Sequence, residues 1–271
     1  MMLHAEVWGA GPPLVLLHGF TGSIDTWEPA RALLGARHRV VAVDLPGHGR
    51  SPAPSPARRL PDVAGALVAA LVRLGIERAA WLGYSLGGRA ALHVALAHPA
   101  RVQRLVLEST SPGIADPRVR AARAAADAEL ADLLERHGLP AFVERWMAQP
   151  LFATQRALDA AVLARERAIR LRHVPAGLAA ALRAMGAGVQ EPLWERLPAL
   201  RVPTLLVVGA RDHAYRALAA GMAARMPNAR TAVVPRAGHA VHVENPVPFW
   251  SHVGAFLGQR LSRATPEGAF A

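Results

Sequence analysis

The stretch from Arg78 to Ala97 constrains this chain more than any other. An apolar run, Arg78 to Leu82, passes into Gly83-Tyr84-Ser85-Leu86-Gly87-Gly88. A helical composition follows from Arg89 to Ala97 and stops at Pro99. A strand that becomes a helix in so few residues has to turn sharply, and glycines on both sides let the two elements approach closely. The pattern G-x-S-x-G puts a serine at the tip of that turn. A glycine-rich turn without chemistry satisfies the same five positions. The fully apolar strand before it and the further small residue Gly88 favour a reactive serine.

The flanking sequence repeats the same alternation. Leu14 to Leu17 reads as a buried strand ending at His18-Gly19, and His38 to Asp44 as a second ending in Pro46-Gly47-His48-Gly49. Pro61 to Leu74 carries apolar residues at helical spacing and ends at Gly75. Val102 to Leu107 is a further strand. Fully apolar strands alternating with helices predict a mostly parallel sheet covered on both faces. From Pro112 to Gln190 no strand pattern appears. Helical stretches there break at Gly138-Leu139-Pro140, Gln149-Pro150 and His173-Val174-Pro175. After Pro198 the alternation resumes, with strands at Thr204 to Val208 and Thr231 to Val234 and helices at Tyr215 to Arg225 and Val247 to Leu261. Ser262 to Ala271 reads as a frayed tail. The expected organisation is an α/β core in two parts, 1–111 and 191–271, interrupted by a helical insertion at 112–190.

Composition narrows the chemistry. Cysteine is absent from the 271 residues, which excludes disulfides, cysteine-ligated metal and a thiol nucleophile. No apolar run approaches the ~20 residues of a membrane span. The N-terminus lacks a basic segment followed by an apolar one, so a cytoplasmic protein is expected. The net charge is +11, and all 31 basic residues are arginine. They are scattered, and aromatics make up only 5% of the chain, so the pattern does not point to nucleic acid. Codon bias of a GC-rich genome, which inflates Arg and Ala together, is the expected source of the total, with an anionic partner as the alternative. The insertion holds 11 Arg against 8 Asp and Glu, so any anion-binding role rests on particular positions. Nothing in the sequence sets an oligomeric state.

A reactive serine needs a histidine, and the histidine needs a carboxylate. His239, in Arg236-Ala237-Gly238-His239 just after a strand, is the candidate. His242 lies three residues on, but the glycine before His239 favours the latter. Asp212 ends the strand-and-turn Val207-Val208-Gly209-Ala210-Arg211-Asp212 and is the expected acid. Asp44 also ends a strand but precedes the serine, so anchoring the Pro46–Gly49 loop is the role expected of it. His18 and His48 are expected to shape loops. An oxyanion hole needs two backbone N–H donors. Leu86, next to the serine, supplies one, and Phe20 in the loop His18-Gly19-Phe20-Thr21-Gly22-Ser23 is expected to supply the other. Arg89 falls one helical turn after Ser85 and on the same face. A cation in the first turn opposes the helix dipole by about 0.3–1 kcal/mol. Anion binding explains that placement better than a side chain merely reaching for solvent.

Together these segments resemble the α/β-hydrolase fold superfamily along the whole chain, with 112–190 as the helical cap that superfamily inserts over its site. Serine rather than aspartate at the elbow removes dehalogenase and epoxide-hydrolase chemistry. A closer resemblance lies in Gly83 to Arg89, Leu107-Glu108-Ser109-Thr110-Ser111-Pro112-Gly113 and the loop Gly19 to Ser23 followed by Trp27. It continues in Phe142 to Phe152, Arg170-Leu171-Arg172 and Leu182 to Gln190. These segments are similar to the 2-succinyl-6-hydroxy-2,4-cyclohexadiene-1-carboxylate synthase family of menaquinone biosynthesis. The resemblance implies a lyase that eliminates pyruvate from a substrate bearing three carboxylates, with no metal and no organic cofactor. It implies anion-binding roles for Arg89, Arg123 and Arg170, with Arg120 and Arg172 as alternatives to the last two. It also implies substrate contacts for Tyr84 and Trp146; burial statistics alone would make Trp146 a core residue of the cap. Ser85 would act as a general base, activated by His239 and Asp212, with Phe20 and Leu86 receiving the enolate oxygen. Two rivals share these residues. One is a serine hydrolase, either a carboxylesterase or a C–C bond hydrolase. The other is a non-catalytic ligand receptor of the same fold.

Overall fold

The computed structural model describes residues 1–55 and 57–258. Its centre is a seven-stranded sheet: β1 (Ala5–Trp8), β2 (Pro13–Leu17), β3 (Arg39–Val43), β4 (Ala79–Tyr84), β5 (Val102–Glu108), β6 (Thr204–Gly209) and β7 (Ala229–Val234). The spatial order is β1-β3-β2-β4-β5-β6-β7. Only β1 runs antiparallel to its neighbour. The helices are α1 (Arg31–Gly35), α2 (Leu60–Arg73), α3 (Leu86–Ala97), α4 (Pro117–Met147), α5 (Ala160–Leu171), α6 (Pro175–Met185), α7 (His213–Ala223), α8 (Val241–Glu244) and α9 (Pro246–Phe256).

Strand periodicity explains the layering. In β2, Val15 and Leu17 join one apolar cluster, with Val63 and Leu67 of α2 and Ala90 and Val94 of α3. Leu14 and Leu16 join a second cluster, with Trp27, Phe249 and Trp250. Both faces are buried, as the unbroken apolar runs require. The stretch between β5 and β6 contains helices and 3₁₀ turns only, and it has an apolar cluster of its own built on Leu134, Phe142, Trp146, Leu178 and Leu182. Gly138, at φ +73°, kinks α4 where a glycine and a proline interrupt the helical pattern.

The topology places the site. From β2 the chain reaches β3 on one side. It then crosses back through α2 to β4 on the other side. The loops after β2 and β4 therefore diverge at the carboxyl ends of adjacent strands, which is where open α/β sheets bind ligands.

β1 was not expected. It is four residues long and sits half-exposed at the sheet edge, so it lacks the apolar run that betrays the central strands. The last described helix ends at Phe256, short of the expected Leu261, with Leu257 and Gly258 in a turn in which Gly258 has φ +88°. Residues 259–261 and the expected tail, Ser262 to Ala271, lie outside the described residues. Among the described residues no helix is long and apolar enough to cross a membrane.

Candidate active site

The elbow is as tight as its glycines suggest. Ser85 has φ +49° and ψ −108°, a region that side chains rarely adopt. Its N–H donates to the Glu108 carbonyl at 2.9 Å, and its own carbonyl accepts from Thr110 Oγ1 at 2.7 Å. A Cβ on Gly87 would collide with the Leu17 carbonyl at the end of β2, so only glycine lets α3 approach that strand. Leu86 opens α3, and the first N–H of a helix has no intrahelical acceptor.

Three side chains from three strand ends meet here. Ser85 Oγ lies 3.2 Å from His239 Nε2, and His239 Nδ1 lies 2.9 Å from Asp212 Oδ2. The partners assign the protons: Nδ1–H donates to the carboxylate, leaving Nε2 to accept from the serine hydroxyl. His239 and Asp212 are buried. Asp212 Oδ1 also accepts from the Tyr215 N–H at 3.2 Å, and the Tyr215 ring meets His239 edge-on, with centroids 4.4 Å apart. Glu244 holds the His239 loop from both sides, accepting from Gly238 N at 2.7 Å and Ala240 N at 3.2 Å. The neighbouring histidine is committed elsewhere. His242 Nδ1 lies 2.8 and 2.9 Å from the two oxygens of Glu108, which is fully buried at the end of β5.

The loop residues fall into structural roles. Asp44 accepts from Ile24 N and Arg50 N, each at 2.9 Å, so it ties the Pro46–Gly49 loop to the Ser23 region. His18 accepts from Leu45 N at 3.0 Å, and His48 pairs with the Pro46 carbonyl at 3.0 Å.

Above Ser85 lies a cavity roofed by the helical insertion. Phe20, Tyr84, Leu86, Arg89, Arg123, Trp146 and His239 all line it. Trp146 also belongs to the insertion's apolar cluster and stacks on Phe142, so it serves core and cavity together. Tyr84 stays a neutral phenol. Burial, reinforced by Glu108, pushes its hydroxyl well above the ordinary value. Arg89 donates to the Met185 carbonyl at 2.8 Å and to Gln190 Oε1 at 3.1 Å. Those acceptors are neutral, and burial draws the guanidinium down to about 10. Arg123 lines the cavity while paired with Asp127 at 2.7 Å. Arg120, its alternative, instead donates to the Ile114 carbonyl at 2.9 Å beside its own helix start.

Arg170 is placed differently. It is buried and paired with Glu166 at 2.9 Å, and it lines a smaller neighbouring cavity. Phe20, Tyr84 and Phe152 line both cavities and form the partition between them. Arg172, its alternative, is exposed and pairs with Asp25 at 3.0 Å.

The sequence profile of the α/β-hydrolase fold family matches residues 12–246. A 2-succinyl-6-hydroxy-2,4-cyclohexadiene-1-carboxylate synthase of Salmonella paratyphi C is 36% identical over 249 residues, covering 91% of this chain and 95% of that one. A Bacillus subtilis protein provisionally named for the same synthase is 39% identical, with coverage of 92% and 91%. The chain belongs to this synthase family. The structure of MenH from S. aureus superposes with a TM-score of 0.90 at 32% identity, covering 94% of this chain and 98% of that one.

In this member of the synthase family several site residues escaped sequence reading. Tyr215 follows the expected acid by one helical turn, and that spacing was the available signal. Glu244 and Glu108 carry none that a single sequence reveals, because each acts on a loop brought to it only by folding. Gln190 falls inside the family-like series but offers no hint that it will accept from Arg89, 101 positions away.

Proposed function

We propose that the protein eliminates pyruvate from 2-succinyl-5-enolpyruvyl-6-hydroxy-3-cyclohexene-1-carboxylate, leaving 2-succinyl-6-hydroxy-2,4-cyclohexadiene-1-carboxylate. In this reading Ser85 Oγ removes a ring proton while its own proton passes to His239 Nε2. Asp212 stabilises the resulting imidazolium. Charge moves onto an enolate oxygen that the Phe20 and Leu86 N–H groups receive. The ring then forms its new double bond as the C–O bond to the enolpyruvyl group breaks. Pyruvate departs after taking a proton back. The insertion acts as a cap that keeps water from the intermediate, and Arg89 and Arg123 take carboxylates of the substrate. Arg170 acts from behind the Tyr84 partition.

The observation that carries this reading is Arg89 beside the Ser85–His239–Asp212 chain. A guanidinium that is partly withdrawn from water and bonded to neutral oxygens is poised for an anion. Ester hydrolysis needs the chain of three but has no use for that cation. Support also comes from the synthase relatives, whose similarity covers at least 91% of each chain. The test is pyruvate release from the named substrate, followed with lactate dehydrogenase, alongside hydrolysis of simple aryl esters. Rapid pyruvate release with poor ester turnover is expected. Efficient ester hydrolysis without pyruvate would overturn the reading in favour of a serine hydrolase, and neither activity would favour a ligand receptor.

A further inference from the structure

The link between α5 and α6, within the insertion, reaches two loops of the core, and one of its residues uses both ring nitrogens to do so. His173 Nε2 lies 2.9 Å from the Thr21 carbonyl, and His173 Nδ1 lies 3.1 Å from the Gly49 N–H. A carbonyl only accepts and an N–H only donates. The ring is therefore the neutral tautomer protonated on Nε2, donating to Thr21 and accepting from Gly49. His173 is buried. Burial depresses its imidazole, as does Arg170, against the opposing pull of its Thr21 hydrogen bond and of Asp44 and Asp25.

The two loops it joins have separate tasks. Thr21 follows Phe20 in the loop after β2, and it has φ +67°, a left-handed conformation costly for a β-branched residue. Strain of that kind, about 1–3 kcal/mol, persists only where neighbours over-determine it. Within the loop, Thr21 Oγ1 bonds the Phe20 carbonyl at 2.6 Å and Gly22 N bonds the Gly19 carbonyl at 3.0 Å. The Thr21 carbonyl itself is held from outside, by His173. Gly49 belongs to the loop that Asp44 anchors. There Gly47 packs so closely on the Gly177 backbone, in the first turn of α6, that a Cβ would not fit. The insertion is thus seated firmly beside His173.

We infer that His173 is a positioning residue: it clasps the Thr21 carbonyl from the seated insertion and thereby aims the neighbouring Phe20 N–H at the developing enolate oxygen. This rests on the proposed role of Phe20 as an oxyanion donor. Without the clasp Thr21 relaxes towards an ordinary φ, the Gly22 N–H that holds the Gly19 carbonyl shifts with it, and the Gly19–Phe20 peptide, which carries the donor N–H, turns out of place. Donors of this kind work only when held in advance at about 2.7–3.1 Å from the developing charge. The ground state scarcely uses that donor. Substrate binding relies on Arg89, Arg123 and Trp146, which stand on other elements.

The experiment compares His173→Ala and His173→Gln with wild type in kcat, KM, melting temperature and the rate at which a fluorophosphonate probe labels Ser85. A glutamine amide can accept from Gly49 through its oxygen and donate to Thr21 through its nitrogen. The expected result for His173→Ala is a kcat at least tenfold lower, a KM within about threefold, and labelling slowed in parallel. His173→Gln should recover most of both rates. Two results would overturn the inference: an unchanged kcat in a folded His173→Ala, or a loss carried by KM. Equal impairment of both variants would overturn it as well. Should His173→Ala fail to fold, His173→Gln decides alone: near-wild-type rates support the clasp, and a tenfold loss refutes it. Labelling separates the two levels of the argument. If wild type releases no pyruvate, the functional reading fails, while the labelling rates still report whether His173 sets the oxyanion hole.

Discussion

Replacing Arg89 by alanine should leave stability nearly unchanged and damage catalysis severely. Two opposed contributions set the stability. The guanidinium stands in the first turn of α3, which costs about 0.3–1 kcal/mol against the helix dipole. Burial also draws it down to about 10, and withdrawing a charged group from water costs several kcal/mol. In return it bonds the Met185 carbonyl at 2.8 Å and Gln190 Oε1 at 3.1 Å, and bonds from a charged donor contribute about 1.5–3 kcal/mol each. Met185 ends α6, so the cation also meets the negative end of that helix dipole. The sums nearly cancel. At about 2–4 °C per kcal/mol for a chain of this size, the melting temperature should move by no more than about 5 °C. Catalysis has no such cancellation. A charge-assisted bond to a substrate carboxylate is lost outright, so kcat/KM should fall at least tenfold at ~1.4 kcal/mol per decade. Arg89→Lys should recover only part of it, because an ammonium keeps the charge without the planar fork. Melting curves and steady-state kinetics on both variants measure the two effects separately. A strongly destabilised Arg89→Ala with unchanged kinetics would show that Arg89 merely ties α3 to α6.

Other perturbations follow from the same geometry. Ser85→Ala, Asp212→Asn and His239→Ala should each lower turnover by about a thousandfold or more while remaining folded, by kinetics and circular dichroism; near-wild-type turnover of Ser85→Ala would end the serine-base mechanism. Burial holds His18 at about 4 and depresses His48 and His173 as well. All three folded values lie below the unfolded value near 6.5. The stability they support is therefore complete above pH ~6.5 and is lost as pH falls towards 4. Denaturant titrations at pH 7.5, 5.5 and 4.5 should show that decline, and a flat profile would contradict the buried neutral cluster. Gly87→Ala should abolish activity and lower the melting temperature, because its methyl meets the Leu17 carbonyl rather than a side chain that can move; an active, stable variant would show that the elbow has slack.

How much of this was legible in the sequence varied with the kind of interaction. Central strands announced themselves because burial on both faces demands an unbroken apolar run, as in Leu14 to Leu17. The edge strand Ala5–Trp8 did not, because half-exposure dilutes the pattern. The elbow glycines and Asp44 were readable because turns and caps are local. Glu108, Glu244 and His173 were not. Each one's partner lies in a loop delivered by the fold, at separations of 134, 6 and 152 positions respectively. Glu244 is instructive, since even its six-residue separation hides the clamp. Its carboxylate reaches back over a helix start to the two N–H groups flanking His239, and nothing in the intervening residue types specifies that reach.

Arg89 shows where sequence and structure need each other. Its position one turn after Ser85 pointed to an anion, because the placement opposed the dipole of its own helix. The structure supplies what that argument lacked: the carbonyl end of α6 faces the same guanidinium, so the cation is tolerated before any ligand arrives. A cation stabilised by one helix end and disfavoured by another is held without being neutralised. That is the condition for a strong response to a carboxylate, since a guanidinium already paired with an acid would have to exchange partners. Arg123 is in that second situation, bonded to Asp127 at 2.7 Å. Of the two cavity arginines, Arg89 should therefore contribute more to binding and Arg123 less. Arg89→Ala and Arg123→Ala assayed side by side should lose efficiency in that order, and the reverse order would show that the ion pair opens to receive the substrate.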